Sequence, residues 1–260
     1  MAFLSAFLLS PTVAWPAQPR GVWMQLPPRR PAELPARPQS EPPATQPKPG
    51  AASEPVAASQ PDAPADSRSD AACLAALIAA HGSDVRPAKV EPGQDAACSV
   101  VEPVVVEALT SGVEPKRQRI VLQPPVTLSC AMATSVAQWL ETSVRPLAKG
   151  YFERDLTGLR VGGGHECRRR NRATNGPLSE HSTGRALDIF GFVIGDGRDG
   201  ESVVVEKPDG ALQRGFLAAV RQSACGAFMT ALGPGSDAAH ANHLHVDTQP
   251  RRAVSSRFCQ

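Results

Sequence analysis

"RALDIFGFVI", Arg185 to Ile194, is the stretch on which the fold turns. Successive side chains of a strand point to opposite faces, so Leu187 and Ile189 share one face while Asp188 and Phe190 share the other. A carboxylate thus sits opposite an apolar face, on a strand. Just upstream, "SEHSTG" (Ser179–Gly184) sets His181 in a turn seven residues before Asp188. A turn of this length can fold the imidazole back beside the carboxylate. Downstream, "HANHLHVD" (His240–Asp247) packs three of the six histidines into six positions. Read as a strand, "HLHVDTQ" puts His243, His245 and Asp247 on one face and Leu244 and Val246 on the core face. Imidazoles two residues apart on a strand are about 7 Å apart. One can ligate a metal while the other reaches the water that the metal binds.

The surrounding segments alternate between the two periodicities. "DAACLAALIAAHG" (Asp70–Gly82) has helical apolar spacing with Gly82 as its stop. "TLSCAMATSVAQWLETSVRPLA" is the clearest helix. Ser129 is its N-cap, Cys130, Ala133, Ala137, Leu140 and Val144 form its stripe, and Pro146 is expected to end it. "ALQRGFLAAVRQSACGAF" is a further amphipathic helix. "VVEPVVVEAL" reads as a strand broken by Pro103, and "LTGLRVGGG" and "SVVVE" as short strands. The order of elements predicts an α+β fold with a central, largely antiparallel sheet and flanking helices.

Fifteen of the 26 prolines fall between Pro11 and Pro64. Residues 15–70 are rich in Pro, Ala, Ser and Gln and cannot bury enough apolar surface to offset their ordering entropy, which predicts a disordered, partly polyproline-like linker. Before it, residues 1–14 carry a short apolar run and then small residues, the outline of an export signal without its positive start. That run is too short to span a bilayer, which takes about 20 residues. The remainder, about 190 residues, suffices for one domain with a substantial core. Six dispersed cysteines without a CxxC pair suit disulfides and an oxidising compartment, but allow 15 pairings. A net charge of +2 and 5% aromatics give no case for nucleic-acid binding, even with "RRRNR" at 168–172.

Two His nitrogens and one Asp oxygen form a three-ligand site with a fourth position open, the pattern of catalytic zinc, which lowers the pKa of its bound water to about 7. The Hx6D and HxH pair resembles the LAS metallopeptidases, which are lysostaphin-type, D-Ala-D-Ala-cleaving and murein endopeptidases. The likeness is closer still to the extensin-like C-terminal domain family, through "LSCAMA", "CRRRN", "LSEHSTGRALDIFGF", "FLAAVRQSAC", "LGPGSDAAHANHLHVD" and the terminal "FC", over about Ala72 to Cys259. The resemblance implies that His181, Asp188 and His245 hold a zinc ion (Zn2+). It also implies that His243 acts as general base or donor beside the metal, assisted by His240. The substrate class implied is a peptidoglycan cross-link or stem peptide, in the periplasm or cell envelope. Arg168, together with Arg170 and Asn171, belongs to the same resemblance. An arginine near the metal suits a substrate carboxylate, and a solvated basic loop is the plainer alternative.

Asp247 has two readings, an orienting partner for an imidazole or a solvated strand end. A Ser179–His181 hydrolase pair lacks the GxSxG elbow. His81 ends a helix and calls for no catalytic role, His165 sits in a Gly-rich loop and reads as a surface residue or as a border of the cleft, and "GDGRDG" reads as a hairpin turn rather than a calcium loop. The rival to a peptidase is a cell-wall-binding domain that keeps the fold and turns nothing over.

Overall fold

The computed structural model describes residues 67–90, 95–112, 117–196 and 200–260. The export segment 1–14 and most of the Pro-rich stretch 15–70 lie outside these residues, as does the tip of the "GDGRDG" turn. The described residues form four helices and nine strands in a mixed α+β arrangement.

Helix α1 (Ser67–His81) begins three residues before the expected Asp70. It stops at Gly82, whose φ of +91° is the left-handed conformation that suits glycine and whose N–H donates to Ile78 O at 2.8 Å. Strands β1 (Val85–Pro87), β2 (Pro103–Ser111) and β3 (Gln118–Ser129) follow as an antiparallel set. Pro103 opens β2 rather than breaking it, at a position where a missing N–H is tolerated.

Ser129 caps helix α2 (Cys130–Trp139), accepting a hydrogen bond from Met132 N at 3.3 Å. The helix does not end at Pro146. A π turn over Leu140–Val144 leads directly into α3 (Arg145–Phe152), with Arg145 N–H reaching back to Leu140 O. Pro146 therefore falls in the first turn of α3, where proline's lack of an N–H is tolerated. Buried Trp139 packs edge-on against Phe228 and donates its indole N–H to Ser223 Oγ at 2.9 Å.

Strands β4 (Leu156–Gly163), β5 (Ala186–Ile194) and β6 (Glu201–Val204) lead to helix α4 (Gly210–Ala227). The chain then closes with β7 (Thr230–Leu232), β8 (Leu244–Asp247) and β9 (Phe258–Cys259). The sheet order is β1-β2-β3-β4-β5-β8-β7-β9, with β6 also paired to β5. Its pairs are antiparallel except β3 with β4 and β7 with β9. Strand β5 is the hub: Asp188 pairs with His245 of β8, and Gly191–Ile194 pair with β6. Its Leu187 and Ile189 are fully buried, while Asp188 and Phe190 face outward together.

All six cysteines are paired. Cys73–Cys130 joins α1 to the start of α2, Cys98–Cys167 ties the loop after β4 to residue 98, and Cys225–Cys259 fastens β9 to α4. Such bridges are typical of oxidising compartments. Among the described residues no helix is long and apolar enough to cross a membrane.

Candidate metal centre

Each member of the site is positioned by a local device. His181 lies in a one-turn 3-10 helix, Glu180–Thr183, opened by Ser179 Oγ accepting His181 N–H. The turn ends at Gly184 (φ +66°), where a Cβ would come within 2.7 Å of Ser129 N. Only glycine lets the turn lie so close to β3. Asp188 and His245 are cross-strand partners, which brings their side chains together on the open face of the sheet.

The distances are short. His181 Nε2 is 3.2 Å from Asp188 Oδ2, and His245 Nδ1 is 2.7 Å from Asp188 Oδ1. One donor atom from each of the three residues lies within 4.8 Å of the others. His181 Nδ1 donates to the carbonyl of Gly164 at 2.7 Å, which fixes the tautomer. Its Nε2 is then a buried lone pair with no hydrogen-bond partner, turned toward a carboxylate oxygen. An imidazole nitrogen facing a carboxylate oxygen at this distance calls for either a proton or a metal ion between them. Two imidazole nitrogens and a carboxylate oxygen suit zinc and other divalent ions of intermediate softness. The residues therefore fit a metal on their own geometry. The other grouping of potential ligands, Cys73, Glu102 and Cys130, has both sulfurs committed to a disulfide.

Two further imidazoles flank this cluster. His243 stacks on Phe190, with ring centroids 5.1 Å apart, and its Nε2 is 3.4 Å from Asp188 Oδ1. His243 Nδ1 donates to Asn242 Oδ1 at 2.8 Å. The His240 ring lies 5.3 Å from that of His243 and 5.4 Å from that of His245. Asp237 Oδ1 accepts from both His240 N and His240 Nδ1, at 3.1 and 2.7 Å, leaving Nε2 of His240 as a free lone pair. Asp247 is no solvated strand end: it is buried, and its Oδ2 lies 3.3 Å from His245 Nε2.

Charge follows from these contacts. Burial disfavours the Asp188 carboxylate, yet the three imidazoles that surround it, of His181, His243 and His245, hold its pKa far below the usual range. Burial likewise opposes charge on His245, but Asp188 and Asp247 outweigh it and push its pKa up to about 9. His240 is pushed down, first by burial, against the pull of Asp237.

The site opens into a cleft of about 470 Å³, whose lining includes all four of these histidines together with Arg168 and Arg170. Arg168 is held by Glu166, with Nε to Oε2 at 2.9 Å, and its backbone N–H donates to Ser182 Oγ. Arg170 is 3.8 Å from Glu180, which also pairs with Arg185. A family model for the extensin-like protein C-terminus matches residues 71–260. The chain belongs to the extensin-like family. Neither the curated proteins nor the solved structures gave a match.

Within the extensin-like domain, His81 and His165 stand apart from the cluster. They bond instead to the carbonyls of Thr110 and Cys98. Sequence reasoning missed Asp237, the Gly164 carbonyl and the Phe190 platform. Asp237 carried a signal, because "SDAAH" is the spacing of an N-cap aspartate bonding three residues ahead. The Gly164 contact joins residues 17 apart and left no local trace.

Proposed function

We propose that this chain is an exported zinc-dependent peptidase that hydrolyses amide bonds in peptidoglycan cross-link or stem peptides. The observation that carries this reading is the orphaned Nε2 of His181, aimed at Asp188 within a three-residue donor set. The likeness of the Hx6D and HxH pair to the LAS metallopeptidases supplies the substrate class. The three disulfides agree with a periplasmic or envelope location.

His181, Asp188 and His245 would hold the zinc ion, which supplies a Lewis acid to polarise a carbonyl and acidify water. The chain's own residues do the rest. His240, its tautomer set by Asp237, presents a neutral Nε2 that can take a proton from the attacking water and return it to the leaving amine. His243, kept in place by Phe190 and Asn242, lines the cleft with its Nε2 beside Asp188 and, when Nε2 carries a proton, can hydrogen-bond the oxygen on which negative charge develops. Arg168, fixed by Glu166, offers a cation to a carboxylate of the peptide.

Digestion of purified peptidoglycan tests this. The wild type is expected to release soluble peptides, His245→Ala to release none, and a chelator to silence the wild type. A wild type that sediments with peptidoglycan and releases nothing would establish the binding-domain alternative.

A further inference from the structure

The cleft continues past the metal centre toward a segment rich in cations. From Thr248 to Gln260 the chain carries Arg251, Arg252 and Arg257 and no Asp or Glu. Arg251 lines the cleft beside Gln249 and Phe258. Its Nη1 donates to Ser256 O at 2.7 Å, and its Nη2 to Thr230 Oγ1 at 2.9 Å and Gln249 Oε1 at 3.2 Å. All three acceptors are neutral. A guanidinium has five N–H groups. These contacts use three of them, and Nε is buried without a partner.

The arginines on the other side of the cleft are different. Arg168 and Arg172 share Glu166, and Arg170 faces Glu180. Each of these three has a carboxylate of the protein beside it, even though the carboxylates are shared. Arg251 forms no ion pair among the described residues. A half-buried guanidinium without a carboxylate is poorly compensated, and a ligand that brings one is favoured.

The topology fixes where that ligand group would lie. Arg251 is anchored on Thr230, the residue of β7 paired with Asp247 of β8. The Asp188–His245 pair spans β5 and β8, and Thr230 stands one strand beyond β8 and two residues along it from His245, roughly 10 Å from the midpoint of that pair. That is about three residues of extended peptide. Phe258, 44% exposed on β9, adds an apolar surface at the same end of the cleft.

We propose that Arg251 forms a carboxylate-binding subsite, placed to hold an acidic group of the peptide about three residues from the bond that is cut. This rests on the reading of the cleft as a peptide site given above. Arg168 and Arg251 then grip the substrate on opposite sides of the metal, and the favoured substrate is a peptide that is acidic on the β7–β9 side.

The test uses the zinc-loaded full chain and two probes. One is a peptidoglycan stem tetrapeptide with free carboxylates, the other the same peptide with every carboxylate converted to a carboxamide. By calorimetry the wild type is expected to favour the acid about tenfold or more. Arg251→Met is expected to lower that preference severalfold, the remainder being owed to Arg168, while leaving carboxamide affinity and zinc content unchanged. Arg251→Gln, which keeps two donors and loses the charge, serves if the methionine variant does not fold. No preference in the wild type, a preference that neither substitution reduces, or equal loss of both probes overturns the subsite. Peptide release from peptidoglycan by a wild type lacking the preference overturns this inference alone. A preference lowered by Arg251→Met, in a protein that releases nothing, overturns the peptidase reading alone.

Discussion

Raising the pH from 7 to 9 is expected to tighten zinc binding by a calculable amount. In the metal-free protein His245 lies between Asp188 and Asp247, and its pKa is pushed up to about 9. A metal must displace that proton before the nitrogen can ligate. At pH 7 the proton competes over two pH units, a penalty of about 3 kcal/mol. The apparent affinity should therefore rise about 50-fold from pH 7 to pH 9 and level off above it. Competition against a chromophoric chelator, corrected for the chelator's own protonation, measures this. Asp247→Asn removes one of the two carboxylates that hold the proton, so its affinity curve should level off at lower pH. Stability of the metal-free chain runs the other way. A raised His pKa contributes stability that is fully present below about 6.5 and is lost as pH climbs through about 9. The metal-free protein should melt lower at pH 9.5 than at pH 6.5, and zinc should close the gap. An affinity that stays flat between pH 7 and pH 9 would refute the view that this imidazole is a proton-blocked ligand.

Two substitutions probe the supports of the site. In Gly164→Ala the new Cβ would come within 2.3 Å of Thr127 O, a backbone atom of β3, so the carbonyl that fixes His181 must move. Zinc affinity is expected to fall about 10- to 100-fold, with a lower melting temperature; unchanged affinity would show that the carbonyl does not govern the ligand. Asp237→Asn keeps an oxygen for His240 N–H but loses the charge that faces Nδ1. Turnover of peptidoglycan is expected to drop about 10-fold or more at constant zinc content, and loss of zinc instead would place His240 among the metal ligands.

Much of this site was legible because strand periodicity and turn chemistry act locally. Leu187 and Ile189 marked the core face of β5 and left Asp188 opposite. Gly184 marked the end of the turn that carries His181. Strand β3 was not visible, because "QPP" reads as a breaker. Pro124 and Pro125 fall where the pairing with β2 shifts register, between Val121 opposite Ala108 and Val126 opposite Val106. A bulge there asks no N–H of them. The helix continued through Pro146 because a π turn reset it, a device without a residue signature. Strands β1, β7 and β9 are two or three residues long, too short for periodicity, and draw their stability from neighbours and, for β9, a disulfide. The cysteine pairings, the Gly164 carbonyl and the cluster of four rings are products of long-range packing.

Metal analysis of the purified chain, paired with its Asp188→Ala variant, tests the central claim most directly. About one zinc per wild-type chain and none in a variant that remains folded is the expected result. A wild type that takes up no divalent ion at neutral or alkaline pH, or an Asp188→Ala variant that binds it equally well, would contradict a metal held by His181, Asp188 and His245.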